Sequence, residues 1–364
     1  ICYSKKTNTL NPASNTYCVI MAGGIGSRFW PMSTADNPKQ FQDILGIGKT
    51  LIRMTFERIL PICSVENIIV VTNSRYKNLV LENLPELDES QVLCEPHMRN
   101  TAPCIAYSNF WIKQKTENAE IIVLSADQLI TNEPQFLQDV QIAINTAKEY
   151  KCLVTIGVKP SSPNTGYGYI QFSDPIEDYG DSVRNVVTFT EKPNLELAEK
   201  FLESGEFFWN SGIFIWTLET IQNEFQTHLS DIYDLFAESS ELIGTDKEEE
   251  AIEEIYSKCT NISIDYGILE KTKGVKVILT DFGWSDLGTW GSVYNHAPKD
   301  ESLNVISNAQ VVFFESQGNL VKLNNIKKAV IQGLDGYIIV EANGVLLISK
   351  KEEEQRVKQF SKAL

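Results

Sequence analysis

Over its first half the chain alternates short apolar runs with stretches whose apolar residues recur at helical spacing. Tyr17 to Ala22 (YCVIMA) is an apolar run ending in glycines, which predicts a buried strand. Asn67 to Thr72, Gln91 to Cys94, Glu120 to Ser125 and Cys152 to Val158 predict further strands. Between them, Leu51 to Leu60 suits a helix with Thr50 available as its cap, and Tyr76 to Leu84 suits another. A further helix is expected from about Thr101. Glu133 to Tyr150 carries Phe136, Val140, Ala143, Ile144 and Ala147 along one helical stripe. Apolar strands separated by amphipathic helices predict an α/β fold: a doubly wound, Rossmann-like, mostly parallel mixed sheet covered on both faces. In such folds ligands sit at the carboxyl ends of the strands, so the chemistry is expected in the loops that follow them.

Beyond residue 160 the pattern is mixed. Strands are expected near 168–173, 183–190, 212–217 and 275–280, and helices near 195–204, 218–237 and 247–258. From about Asn304, short β runs alternate with turns at Gly318, Gly333, Gly336 and Asn343-Gly344, and a charged helix is expected near 351–363. This divides the chain into an N-terminal extension (1–16), a large domain (17–300) and a small C-terminal β-rich domain (301–364). Within the last, Val340 to Val345 with its central Asn-Gly reads locally as a hairpin.

Charge narrows the partners. The net charge of −16, from 32 basic and 48 acidic side chains, repels nucleic acid and anionic membrane, and neither is expected as a partner. A polyanionic ligand must then be bound by a few Arg and Lys residues held in motifs. No apolar run approaches the roughly 18 residues that a membrane span needs, and the first 16 residues lack the apolar core of a signal peptide. Seven scattered cysteines without a CxxC argue against a disulfide framework and for a reducing, cytoplasmic setting. Three histidines make His-rich metal sites and His-based nucleophile triads poor candidates.

The first strand runs into Gly23-Gly24-Ile25-Gly26-Ser27-Arg28-Phe29-Trp30-Pro31. Glycines in this position let backbone N–H groups approach phosphate oxygens. A P-loop would need Gly-Lys-Ser/Thr, and Ser27-Arg28 follows Gly26 instead. A dinucleotide fingerprint would need Gly or Ala at Phe29, and Pro31 opposes the uninterrupted helix which that motif opens. What stands here is Gly-x-Gly-x-Arg-x-x-Pro followed by Pro38-Lys39.

The stretch GGIGSRFWPMSTADNPKQF resembles the signature of the nucleotide-sugar pyrophosphorylase family. Its Trp-Pro step and Pro-Lys-Gln-Phe ending are similar to the mannose-1-phosphate guanylyltransferase branch, and the resemblance runs over roughly residues 17–295. It implies in-line attack of mannose 1-phosphate on the α-phosphorus of GTP, giving GDP-mannose and pyrophosphate. It also implies that Arg28 holds the β,γ-phosphates and that Lys39 reaches the reacting phosphates. Gly23, Gly24, Gly26 and Ser27 would cradle the nucleotide. Glu95-Pro96-His97-Met98-Arg99-Asn100-Thr101-Ala102-Pro103 resembles the base-holding segment, with Arg99, Asn100 and Thr101 as contacts and Glu95 as a weaker one.

By the same resemblance Asp127, in Leu124-Ser125-Ala126-Asp127-Gln128, and Asp286, in Gly283-Trp284-Ser285-Asp286-Leu287-Gly288, hold Mg2+. Relatives commonly carry Pro and His where this chain has Ser125 and Gln128. Three segments resemble the sugar side: Asn164 to Ile170 with Gly168 and Tyr169, Phe189 to Pro193 with Glu191 and the catalytic Lys192, and Trp209 to Phe214 with Asn210. Asp265 either contacts sugar or caps the helix that follows it. Family members often build a partial β-helix at the C-terminus, and a homodimer is expected from the resemblance alone. Two alternatives stay open: a glucose 1-phosphate enzyme using UTP or dTTP, and a non-catalytic sugar-nucleotide-binding subunit.

Overall fold

The computed structural model describes residues 15–176 and 180–363. Residues 1–14, most of the expected N-terminal extension, lie outside them. In chain order the first elements are β1 (Thr16–Met21), α1 (Leu51–Ile59), β2 (Ile68–Asn73), α2 (Lys77–Asn83), β3 (Val92–Glu95), α3 (Thr101–Lys113), β4 (Glu120–Ser125), the two-residue β5 (Leu129–Ile130) and α4 (Glu133–Tyr150). Then come β6 (Val154–Val158), β7 (Gly168–Ile176), β8 (Gly180–Glu191), α5 (Leu195–Ser204), β9 (Phe207–Thr217), α6 (Leu218–His228), α7 (Ser230–Glu238), α8 (Glu248–Lys258), β10 (Lys276–Thr280) and the two-residue β11 (Trp284–Ser285). The chain ends with α9 (Trp290–His296), β12 (Val305–Ser307), β13 (Gln310–Phe314), β14 (Leu320–Leu323), β15 (Lys328–Gln332), β16 (Tyr337–Ala342), β17 (Val345–Lys350) and α10 (Val357–Phe360).

The described residues divide into two compact units that are not consecutive in sequence: one holds those within 15–21, 56–125 and 130–284, the other those within 22–55, 126–129 and 285–363. The first unit is built on a nine-stranded mixed sheet in the order β3-β2-β1-β4-β9-β6-β10-β8-β7. Pairing is parallel among β3, β2, β1 and β4 and between β6 and β10. It is antiparallel wherever β7, β8 or β9 takes part. The parallel strands are buried on both faces, which is why they read as continuous apolar runs. Helix α3 is buried from Ala102 to Ile112, as a helix apolar all round must be. The single helix expected over 218–237 is interrupted at Leu229, whose backbone (φ −139°, ψ 50°) is not helical, so α6 and α7 are separate.

In the second unit, β12, β14 and β16 stack in parallel, with Val305 opposite Leu320 and Leu320 opposite Ile338. β13 and β15 form a second parallel pair. Asn343 (φ 53°) and Gly344 (φ 76°) turn β16 into the antiparallel β17. The buried Asn304 and Asn319 form an internal ladder: Asn319 Nδ2 donates to Asn304 Oδ1 (3.0 Å), and Tyr337 N donates to Asn319 Oδ1 (2.8 Å). The segment after β1 belongs to this unit because its apolar side chains do. Phe29, Met32, Ile44 and Leu51 share one buried cluster with Trp290, Val305, Leu320, Ile338, Leu347 and Val357. Instead of one charged helix near 351–363 there is a 3-10 stretch, Lys351–Arg356, followed by the short α10. In that stretch the carboxylate of Glu354 accepts from Gly291 N (2.7 Å).

Candidate active site

The glycine loop leaves β1 with Gly24 at φ +83° and Gly26 at φ +66°. Its carbonyls are held from behind by side-chain donors. Gln40, fully buried, donates through Nε2 to Ala22 O (2.9 Å) and Gly24 O (3.2 Å), and the Ser33 hydroxyl donates to Ile25 O. A short turn, Ser27–Phe29, is closed by Phe29 N donating to Gly26 O (2.9 Å). Phe29 is fully buried with its ring edge-to-face on Trp290 (4.9 Å), whereas Arg28 is exposed. Among the described residues, none accepts from the amides of Gly23, Gly24 or Gly26, and no carboxylate pairs with Arg28. Exposed backbone N–H groups beside an exposed guanidinium suit an anion.

Gly26 is irreplaceable for two reasons. Its φ is left-handed, and a Cβ there would lie 2.5 Å from Lys39 Cβ. Gly26→Ala is expected to lower kcat/KM about tenfold or more, since left-handed strain alone is worth roughly 1–2 kcal/mol. Retention of the wild-type value in steady-state assays would show that the loop tolerates a displaced Lys39.

Lys39 ties two acidic segments together. Its ammonium is buried, salt-bridged to Asp127 Oδ2 at 2.8 Å, and donates to the carbonyls of Asp286 and Leu287 at 3.0 Å each. It also lies 5.5 Å from the centroid of the Phe29 ring. Asp127 keeps part of its carboxylate exposed (28%), and Asp286 Oδ1 accepts from Gly288 N (3.1 Å). Two segments bearing hard carboxylates thus converge on one cationic point. Among the described residues no group of three or more His, Cys, Asp or Glu side chains forms a cage for a metal. That donor set suits an ion held by one or two carboxylates and completed by substrate phosphates and water, as Mg2+ is.

The second group surrounds the start of α3. Asn100 (φ 69°) caps that helix, its Oδ1 accepting from Thr101 N (2.9 Å). Thr101 Oγ1 accepts from Ile264 N (2.9 Å), and Ala102 N donates to Ile262 O (3.1 Å). Arg99 Nε donates to Tyr256 O (3.1 Å). The Tyr256 hydroxyl donates to Glu95 (2.9 Å), whose carboxyl burial pushes up to about 7.

The third group brings together Gly168, Glu191, Lys192, Asn210 and Asp265. Asn210 Nδ2 donates to Asp265 Oδ1 (2.8 Å), and Thr155 Oγ1 donates to Asn210 Oδ1 (3.1 Å). Burial, and secondly the charge of Glu191, push the Asp265 carboxyl up to about 6. Lys192 (φ 48°) is exposed and ion-paired with Glu191. A Cβ on Gly168 would lie 2.5 Å from Glu191 Oε2, so glycine there lets the carboxylate approach the backbone. Tyr169 is fully buried, tilted against Phe201, with its hydroxyl donating to Asn164 O (3.1 Å). Its bearing on a ligand is therefore through the strand it anchors. The half-buried ring is Tyr167, edge-to-face with Trp209 (5.0 Å) and Trp284 (5.3 Å). All three rings stand inside segments read from sequence, Tyr167 in the one whose rings are expected to pack against a hexose, but the sequence does not show that they meet; Thr155 and Tyr256 carry no local signal.

A family model for nucleotidyl transferases matches residues 17–302. A mannose-1-phosphate guanylyltransferase of Escherichia coli is 34% identical over 348 residues, covering 94% of this chain and 74% of that protein. One of Klebsiella pneumoniae is 34% identical over 94% of this chain and 72% of its own length. The crystal structure of a mannose-1-phosphate geranyltransferase from Thermus thermophilus superposes with a TM-score of 0.84 at 27% identity, covering 96% of this chain and 99% of that one.

Proposed function

Because the chain belongs to the nucleotidyl transferase family, with mannose-1-phosphate guanylyltransferases among its relatives, we propose that it transfers GMP from GTP to mannose 1-phosphate, releasing pyrophosphate. The observation that carries this reading is the loop from Gly23 to Lys39. Gly23, Gly24 and Arg28 are exposed, and its terminal lysine joins Asp127 to the Asp286 segment. Phosphoryl transfer asks little covalent chemistry of a protein; positioning and charge stabilisation do most of the work.

In the proposed mechanism, a phosphate oxygen of mannose 1-phosphate attacks the α-phosphorus of GTP, and the bond to the pyrophosphate leaving group breaks in line. Arg28 holds the β,γ-phosphates in its fork, and the amides of Gly23, Gly24 and Gly26, beside Ser27, take phosphate oxygens. Arg99, Asn100 and Thr101 hold the base end. Glu191, Asn210 and Asp265 order the sugar hydroxyls, with Gly168 opening space and Tyr169 anchoring the strand. Lys192 neutralises the sugar phosphate so that it can approach a triphosphate. A divalent metal, Mg2+ in our reading, supplies Lewis-acid charge to the phosphates when bound at Asp127 and Asp286. Lys39 keeps those two segments in register and adds its own positive charge. A homodimer is part of the proposal, resting on resemblance, as is a cytoplasmic setting, resting on the scattered cysteines without a CxxC. Among the described residues no helix is long and apolar enough to cross a membrane.

The decisive experiment measures pyrophosphate release with Mg2+, crossing GTP, ATP, UTP and dTTP against mannose and glucose 1-phosphates. Release with GTP and mannose 1-phosphate alone is expected. Release with another pair would keep the mechanism and replace the specificity. Silence with every pair, from folded protein that still binds GDP-mannose, would favour a non-catalytic subunit.

A further inference from the structure

The triphosphate loop does not stand on β1 alone. Beyond the buried cluster that Phe29 and Met32 share with the C-terminal strands, one polar contact reaches it from the β-rich domain. Asn343, at the tip of the β16–β17 hairpin, donates through Nδ2 to the carbonyl of Pro31 at 2.9 Å. Pro31 closes the Arg28-Phe29-Trp30-Pro31 segment and has no N–H of its own, so its carbonyl is its one backbone hydrogen-bonding group. Towards the other end of the loop, the carbonyls of Ala22, Gly24 and Ile25 are taken by Gln40 and Ser33. The loop is therefore gripped on both sides of Arg28, and Asn343 supplies the grip on the Pro31 side.

We propose that Asn343 is a positioning residue for the triphosphate: it fixes the Pro31 end of the loop and so sets the direction in which Arg28 is presented. A turn explanation competes with this one. Asn343 has φ 53° and precedes a glycine at φ 76°, and Asn-Gly is favoured in such hairpins whatever the side chain touches. The two explanations separate chemically. Glycine and aspartate both tolerate positive φ and keep the turn, yet neither can donate to Pro31 O. If the turn were the whole role, both substitutions would be silent.

The inference rests on the proposed reading of the loop as the phosphate clamp, and the experiment keeps the two apart. Asn343→Gly and Asn343→Asp are made in the full chain, alone and combined with Arg28→Ala. For each, kcat, KM and melting temperature are measured with GTP and mannose 1-phosphate. We expect both single variants to lose about 10-fold to 100-fold in kcat/KM, the scale of a small misplacement near a reacting group. The melting temperature should stay within about 3 °C of wild type. In the Arg28→Ala background, Asn343→Gly should cost less than about threefold further, because the group it aims is gone. Single variants within twofold of wild type, beside a severe Arg28→Ala, would overturn the inference and leave the clamp standing. So would a loss repeated in full on the Arg28→Ala background, or one that tracks a fall in melting temperature. A harmless Arg28→Ala would remove the clamp itself, and the inference with it.

Discussion

Asp286→Asn is expected to reduce turnover about 10³-fold while the protein remains folded. The size follows from charge. A metal acting on phosphoryl oxygens supplies several kcal/mol of transition-state stabilisation, and roughly 4 kcal/mol corresponds to three powers of ten in rate. The substitution keeps two structural contacts. The asparagine Oδ1 can still accept from Gly288 N, and the main-chain carbonyl at 286 still receives Lys39. What disappears is one negative, hard oxygen of the pair proposed to hold Mg2+. The check is steady-state turnover across a magnesium titration, with melting temperature measured alongside. The expected signature is a low rate and a raised magnesium requirement with unchanged melting. Near-normal turnover in millimolar magnesium would remove Asp286 from the metal site.

The legible part of this fold was the part in which local pattern and tertiary burial agree. The apolar run Glu120 to Ser125 and the striped segment Glu133 to Tyr150 became β4 and α4 with those bounds, because strands covered on both faces and helices packed on one side must show such periods. β9 begins at Phe207, ahead of the expected 212, because Asn210-Ser211-Gly212 interrupts its apolar run; Asn210 bonds Asp265, and the buried Ser211 donates to Ile156 O. The break at Leu229 was equally hidden, since an apolar leucine carries no stop signal.

At the site, the residue types and their loops could be read from sequence, but their partners could not. The structure gives Lys39 two backbone carbonyls, at Asp286 and Leu287, and a carbonyl leaves no trace in a side-chain pattern. The bond from Ile264 N to Thr101 is of the same kind, joining the segment proposed for the base to the one that carries Asp265. Residues 22–55 share a unit with the C-terminal strands through contacts between positions far apart in the chain, Phe29 on Trp290 among them.

Arg28→Ala should lower the rate by about 10²–10³, the usual scale for one lost transition-state charge contact. Arg28 is displayed beside a buried Phe29, and no carboxylate among the described residues pairs with it, so its removal leaves no buried charge unpaired. Melting should therefore be unchanged, and any loss of rate belongs to the chemistry. Lysine restores a point charge but not the planar fork, so Arg28→Lys should recover only part of the loss. The reverse reaction gives a sharper test. The β,γ-phosphates of GTP become the pyrophosphate, and a clamp on them must weaken pyrophosphate binding in the direction of GTP formation. KM for pyrophosphate should rise in Arg28→Ala while that for GDP-mannose stays near wild type. An equal rise in both would place Arg28 on the shared nucleotide portion, and unchanged kinetics in both directions would mean that this loop does not clamp phosphates.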